Sequence, residues 1–121
     1  MPDTEQPTAQ TADAGGGEPG PAADPVVELR EALSRAELTP RDIDHIFFVS
    51  VTGLSTPSID ARLVNRLGMR PDVKRTPIWG LGCVAGAAGI ARAADYLRGF
   101  PDQTVVLLAV ELCLLTYQAD D

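Results

Sequence analysis

The sequence predicts an α/β domain in which helices pack on the faces of a parallel or mixed sheet. Past residue 25, the spacing of apolar residues switches repeatedly between a helical and a strand-like period. One strand-like run, Ile46–Val49, is continuously apolar, as strands buried on both faces are. No stretch of the sequence repeats. Alternating helices and strands of this kind favour a sheet covered by helices.

The first 25 residues differ in composition from the rest of the chain. They are rich in Pro, Gly, Ala, Thr and acidic residues, and no large aliphatic residue occurs before Val26. Because so little apolar surface cannot offset the entropy cost of ordering, residues 1–25 are predicted to be disordered. The segment also lacks the basic, apolar and cleavage regions of a signal peptide. Residues 26–121 are predicted to form one domain.

The first predicted elements of this domain are a helix and a strand. Asp24 is a candidate N-cap, and Pro25 suits the first helical position. Thr39-Pro40 is expected to end the helix, and Ile43 to Val51 is predicted to form a short buried strand. The apolar positions of the helix are Val26, Val27, Leu29, Leu33 and Leu38.

The remaining elements continue the alternation. Ser58 to Leu67 has apolar residues at helical spacing, and Gly68 is expected to end this helix. Arg75 to Trp79 is the second predicted strand. Cys83 to Arg98 is the second long helix, and Thr104 to Val110 is the third strand.

The run Gly80–Gly89 places one thiol, Cys83, at a glycine-lined turn directly before a helix. The unpaired N–H groups of a helix start favour a thiolate, which is the nucleophilic form of cysteine. A buried strand over Thr76–Trp79, a cysteine and a buried helix have the order of a nucleophile elbow. The alternative is a structural cysteine that packs as a small hydrophobe.

Composition excludes several kinds of partner. The net charge of −7 argues against a surface for nucleic acids or anionic membranes. No apolar span reaches transmembrane length. The two cysteines form no recognisable metal or disulfide framework, so no metal site is predicted and the cytoplasm is the expected compartment.

Four motifs between Asp44 and Gln118, in the same order, resemble the N-terminal half of the chalcone synthase family, the type III polyketide synthases. They are Val51–Pro57 (VTGLSTP), Arg66–Arg75 (RLGMRPDVKR), Gly82–Gly86 (GCVAG) and Val110–Tyr117 (VELCLLTY). The resemblance implies part of a thiolase-like fold. It also implies acyl-CoA and malonyl-CoA as substrates, no bound cofactor and a homodimer.

The resemblance assigns roles to individual residues. Cys83 matches the nucleophile that would hold the acyl group as a thioester. Thr52, Cys113, Leu115 and Thr116 match positions that line the initiation and elongation cavity. Thr56 matches the position that crosses the dimer interface into the partner's cavity. Val51 stands where plant relatives carry threonine, which puts ring-closure chemistry that depends on that hydroxyl group in doubt. Cys113 also stands where they carry threonine, and its thiol could be a spectator, an acceptor or a site of oxidation.

Other features depart from the family pattern. The family's catalytic histidine and asparagine lie in its C-terminal half, so the chain is expected to be a fragment or one half of a split enzyme. Its only histidine, His45, is predicted to be a solvated residue at a strand end. Glu111 is predicted to be a hydrogen-bonded structural carboxylate, with burial raising its pKa.

Two alternative functions belong to other classes. One is a condensing enzyme of the ketoacyl synthase III kind, which shares the fold and the cysteine. The other is a noncatalytic module that dimerises through the Thr56 region. The glycine-flanked cysteine and the basic run before it fit the polyketide synthases better.

Overall fold

The computed structural model describes residues 24–112. Nearly all of the predicted tail, and Cys113, Leu115 and Thr116, lie outside this range. The helices are α1 (Pro25–Arg35), α2 (Ile59–Leu67) and α3 (Ala85–Gly99), and the strands are β1 (His45–Val49), β2 (Lys74–Ile78) and β3 (Val105–Ala109). Short 3-10 turns occur at Pro40–Asp42 and Gly82–Val84. No helix within the described range is long and apolar enough to cross a membrane.

The three strands form a parallel sheet in the order β2-β1-β3. His45 at the start of β1 aligns with Lys74 on one side and Val105 on the other, and all three strands therefore begin at the same edge. β1 is buried along its whole length, as its apolar run predicts. The predicted α/β fold, with helices packed on a parallel or mixed sheet, is confirmed, and the three described strands are all parallel.

The helices cover both faces of this sheet. One face carries the main apolar cluster, in which Ile46 of β1 packs with residues of α1 and α2. On the opposite face, His45 and Phe47 contact Tyr96 of α3. Side chains of a strand alternate between faces, so β1 supplies both layers. The main cluster consists of Val26, Leu29, Leu33, Ile43, Ile46, Leu63, Leu67 and Met69.

The helix ends lie where capping residues in the sequence predict them, with one exception. The Asp24 carboxylate accepts the Val26 amide at 2.9 Å, with Pro25 in the first turn, and Gly68 is the C-cap of α2, both as predicted. α1, however, ends at Arg35 and not at Thr39-Pro40. Glu37 adopts a left-handed conformation (φ 57°), which lets the Leu38 amide return to the Leu33 carbonyl at 2.8 Å. This bonding closes the helix before the proline.

Two predictions of burial are wrong. β2, which precedes the cysteine turn, is exposed at Lys74, Arg75 and Pro77, because it is an edge strand of the described sheet. Proline is tolerated at such an edge. The helix after the turn is also largely exposed: in α3 only Ala85 and Gly89 are buried, and Ile90 is 64% exposed.

Candidate active site

The candidate site lies at the edge where the strands end. In a parallel sheet all the carboxyl ends meet at one edge, and ligands of open α/β sheets bind there. The segments that leave β1 and β2 start side by side, since the Ser50 amide donates to the Ile78 carbonyl at 3.3 Å. The segment after β3 joins them, with the Val110 amide on the Val49 carbonyl at 3.1 Å. Thr52, Cys83 and Glu111 thus follow three adjacent strand ends.

Cys83 lies in the 3-10 turn Gly82–Val84, immediately before α3, and is exposed. Gly80 and Gly82 have φ values of 80° and 58°, which side chains with a Cβ rarely adopt. The glycines therefore permit the sharp change of direction from β2 into the turn. The prediction of a cysteine directly before a helix is confirmed, although α3 itself begins two residues later, at Ala85.

A close contact of α3 with the sheet fixes the direction in which the helix leaves this turn. A Cβ added to Gly89 would lie 2.7 Å from Leu107 Cδ1 and 3.4 Å from Val49 Cγ1. The first turns of α3 therefore lie directly on the last part of β1 and on β3. Only glycine allows this approach without displacing a neighbour.

Thr52 and Glu111 are joined by hydrogen bonds across the strand ends. The Glu111 carboxylate accepts the amides of Val51 (3.0 Å) and Thr52 (3.0 Å) and the Thr52 hydroxyl. The Thr52 hydroxyl oxygen in turn accepts the Leu112 amide. These bonds agree with the predicted structural role of Glu111, and they occupy the single proton of the Thr52 hydroxyl.

The prediction that burial raises the pKa of Glu111 is wrong. Its side chain is exposed, and the hydrogen bond from the Thr52 hydroxyl, together with the amides of Thr52 and Val51, holds the pKa below its usual value. Hydrogen bonds to a carboxylate favour its charged form. Glu111 is therefore an anion at neutral pH and a poor general acid.

The loop after β1 carries the other candidate within the described range. Thr56 is exposed and precedes Pro57 through a cis peptide bond. Within the loop, the Gly53 amide donates to the Ser50 hydroxyl at 2.9 Å and the Ser55 hydroxyl to the Pro57 carbonyl at 2.8 Å. The structure thus brings Thr52 and Glu111 into contact and places Thr56 further along the same loop. The candidate cavity residues Cys113, Leu115 and Thr116 lie outside the described range.

The prediction of a solvated His45 is wrong. His45 is only 6% exposed, its ring stacks on Phe47 at 4.3 Å, and its Nε2 lies 2.7 Å from the Thr76 hydroxyl. Burial, with a smaller effect of the Lys74 charge, lowers the pKa of His45. It lies at the start of β1, and a strand of five residues is about 15 Å long. His45 is therefore at the edge of the sheet opposite to Cys83.

One charged contact near the site was not predicted from the sequence. Arg75 Nη1 of β2 lies 2.9 Å from Asp60 Oδ2 of α2, and Asp60 is completely buried. An acidic residue in the first turn of a helix is common, so Asp60 carries no distinguishing signal in the sequence. Among residues 24–112, no group of three or more His, Cys, Asp or Glu side chains could hold a metal ion.

Comparisons with known proteins identify the family. The model of the family described as chalcone and stilbene synthases, N-terminal domain, matches residues 29–120. A 1,3,6,8-tetrahydroxynaphthalene synthase from Streptomyces peucetius subsp. caesius is 60% identical over 92 residues, which are 76% of this chain and 24% of the relative.

Solved structures give the same result. The crystal structure of 1,3,6,8-tetrahydroxynaphthalene synthase from Streptomyces coelicolor A3(2), a bacterial type III polyketide synthase, matches with a TM-score of 0.75 and 41% identity, over 79% of this chain and 28% of that one. Germicidin synthase from the same organism, also a type III polyketide synthase, matches with a TM-score of 0.74 and 36% identity, over 79% and 25%. The chain spans about a quarter of the length of these relatives. It belongs to the chalcone and stilbene synthase family, and its residues 29–120 match the N-terminal domain of that family.

Proposed function

We propose that the chain supplies the nucleophile-bearing part of a type III polyketide synthase, an acyltransferase. The Cys83 thiolate attacks the carbonyl carbon of an acyl-CoA thioester, and the CoA thiolate leaves, so that the acyl group becomes a Cys83 thioester. Malonyl-CoA then loses carbon dioxide. The resulting carbanion attacks the Cys83 thioester, a carbon–carbon bond forms, and the Cys83 thiolate is released. The acyl chain is then two carbons longer and bound to CoA.

The observation that carries this proposal is the family match over residues 29–120, which includes the Cys83 turn. The geometry supports it, because an exposed thiol follows an edge strand and precedes α3. The groups that stabilise the thiolate and the thioester oxygen are expected from the part of the family that this chain does not span. Cys83 needs no bound cofactor for these steps.

The other candidate residues act on the shape of the site. Thr52, Cys113, Leu115 and Thr116 line the cavity that accepts the growing acyl chain, and Thr56 reaches the cavity of a second subunit in a homodimer. Thr52 offers the cavity its methyl group, because its hydroxyl proton is bonded to Glu111. Val51 offers no hydroxyl, so its contribution is limited to apolar packing.

Two experiments test the proposal. In the first, the 121-residue chain is incubated with an acyl-CoA, and acyl adducts are located by peptide mass spectrometry. We expect an adduct at Cys83 that persists in Cys113→Ser, the matched thiol control. An adduct confined to Cys113 would contradict the assignment.

In the second experiment, residues 29–120 replace the matching segment of the tetrahydroxynaphthalene synthase from Streptomyces coelicolor. We expect this graft to condense labelled malonyl-CoA. A folded graft with no condensation would favour the alternative of a noncatalytic module. The family match speaks against the other alternative, a condensing enzyme of the ketoacyl synthase III kind.

A further inference from the structure

The ion pair between Arg75 and Asp60 joins β2 to α2, and each of these elements is connected along the chain to a segment that carries candidate site residues. Arg75 Nη1 lies 2.9 Å from Asp60 Oδ2 and 3.5 Å from the hydroxyl of Ser58. The Asp60 side chain is fully buried, whereas that of Arg75 is 40% exposed. A buried carboxylate needs such a partner, because an unpaired charge inside a protein is strongly unfavourable.

Each partner stands next to a segment of the candidate site. Asp60 is in the first turn of α2, directly after the loop over residues 51–58 that carries Thr52 and Thr56. Arg75 is in β2, whose end continues into the Cys83 turn. The ion pair therefore connects the far end of the loop to the strand that leads to the cysteine.

The loop is fixed differently at its two ends. Its start is held by Glu111, which accepts the amides of Val51 and Thr52. At its other end, the N-cap residue Ser58 makes no side-chain capping bond to α2. The start of α2 thus lacks a side-chain cap, and the contact of Asp60 with Arg75 links it to β2 instead.

We propose that Arg75 is a positioning residue which, through Asp60, fixes the loop over residues 51–58 relative to the Cys83 turn. The part of this inference that concerns catalysis rests on the proposed function. The part that concerns geometry does not, because it predicts a distance between two segments.

The distance can be measured by pulsed electron spin resonance on the full chain. Spin labels are placed on Cys83 and on Leu54→Cys, in a Cys113→Ser background; Leu54 is 73% exposed and tolerates a label. In Arg75→Met the buried Asp60 loses its partner, so we expect the distance distribution to broaden by roughly twofold. Arg75→Lys keeps the charge but loses the planar guanidinium, and we expect an intermediate distribution.

Arg70→Met is the matched control. It removes ion pairs of similar length, with Asp44 at 2.7 Å and Asp72 at 3.0 Å, at the edge where the strands begin. We expect it to lower the stability but to leave the distance distribution unchanged. The proposal is overturned if Arg75→Lys and any folded Arg75→Met protein keep the wild-type distribution, or if Arg70→Met broadens it equally.

Activity of the graft separates this inference from the proposed function. Arg75→Lys is expected to lower kcat several-fold with little change in KM for the acyl-CoA, because the substrate contacts remain while the reacting groups are misaligned. If Cys83→Ala leaves the graft fully active, the proposed function is wrong. The distance measurement still tests the role of Arg75, because it does not depend on activity.

Discussion

The two edges of the sheet differ in their side-chain contacts. Charged and aromatic side chains pack together at the edge where the strands begin, whereas the turns at the edge where the strands end are exposed. At the first edge, the Asp44 carboxylate accepts the Thr104 amide at 2.8 Å and Arg70 Nη2 at 2.7 Å. Lys74 Nζ lies 4.7 Å from the centre of the Phe100 ring, and His45 is buried. These contacts tie the starts of all three strands together.

The opposite edge has turns with glycine at positive φ, an exposed cysteine and exposed apolar side chains such as Leu54 and Val84. Glu111 is the carboxylate that joins strand ends there, and it binds mostly backbone amides. The difference teaches that side-chain contacts hold the amino edge together, whereas the carboxyl edge carries the candidate site residues. Such a division is common in parallel sheets, since the loops that follow the strands can vary over a fixed scaffold.

The largest expected effect tests this division directly. In the graft, Cys83→Ala should lower condensation by at least about 1000-fold, because the covalent intermediate cannot form. His45→Gln should keep the rate within a few-fold of the parent, since His45 lies at the other edge. Product formation from labelled malonyl-CoA measures both. A loss of activity in His45→Gln, with the protein still folded, would break the comparison.

The next effect concerns how α3 rests on the carboxyl half of the sheet. Gly89→Ala should destabilise the chain by about 1–3 kcal/mol, since the new methyl group would displace Leu107. Gly86→Ala is the control in the same helix, because a Cβ there meets no atom within 4 Å. It should stabilise the helix by less than about 1 kcal/mol, the value for a helix interior, because Gly86 lies in the first turn of α3. Urea unfolding measures the free energy of unfolding of both variants. Equal changes in the two variants would contradict the close contact at Gly89.

Asp44 connects the strands at the edge where they begin, and Glu111 connects them at the edge where they end. These two carboxylates should differ in their contribution to stability. Asp44→Asn should lower the melting temperature by several degrees, because Arg70 loses the nearer of its two carboxylate partners, Asp44 and Asp72. Glu111→Gln should lower it less, because the amide oxygen at the Oε2 position still accepts the Thr52 amide and hydroxyl, and the side chain is exposed. Thermal unfolding at neutral pH compares them. A larger fall in the melting temperature of Glu111→Gln than of Asp44→Asn would contradict this prediction.

The pH dependence of the same variants sharpens this test. The Thr104 amide and Arg70 lower the pKa of Asp44, and Thr52 and Val51 lower that of Glu111. Their stabilisation is complete above the ordinary values of 3.8 and 4.5 and is lost as the pH falls through the lower folded-state values. Asp44→Asn should therefore flatten the acid limb of the stability curve below pH 3.8.

The smallest expected effect comes from His45. Burial and then Lys74 lower its pKa below 6.5, so the unfolded chain takes up the proton first. The resulting stability is complete above pH 6.5 and is lost as the pH falls from 6.5 towards the folded-state value. Urea midpoints on either side of pH 6.5 should differ in the wild type and converge in His45→Gln. An unchanged slope in that variant would mean that a group other than His45 causes the pH dependence.

Sequence alone determined the features that depend on nearby residues. The N-cap at Asp24, the end of α2 at Gly68 and the cysteine before α3 follow from side chains within one helical turn of each other. The family resemblance rested on short motifs that also need no tertiary contact to be seen. The α/β class, with a parallel or mixed sheet, followed from alternation along the chain.

The tertiary structure decided the burial and the pairing. It placed β1 at the centre and β2 at an edge, which buried His45 and exposed the strand before Cys83. It brought Glu111 to Thr52 across 59 residues and Arg75 to Asp60 across 15. The physical reason is that caps and turns depend on local backbone geometry, whereas the strand order depends on which surfaces are buried when distant segments pack together.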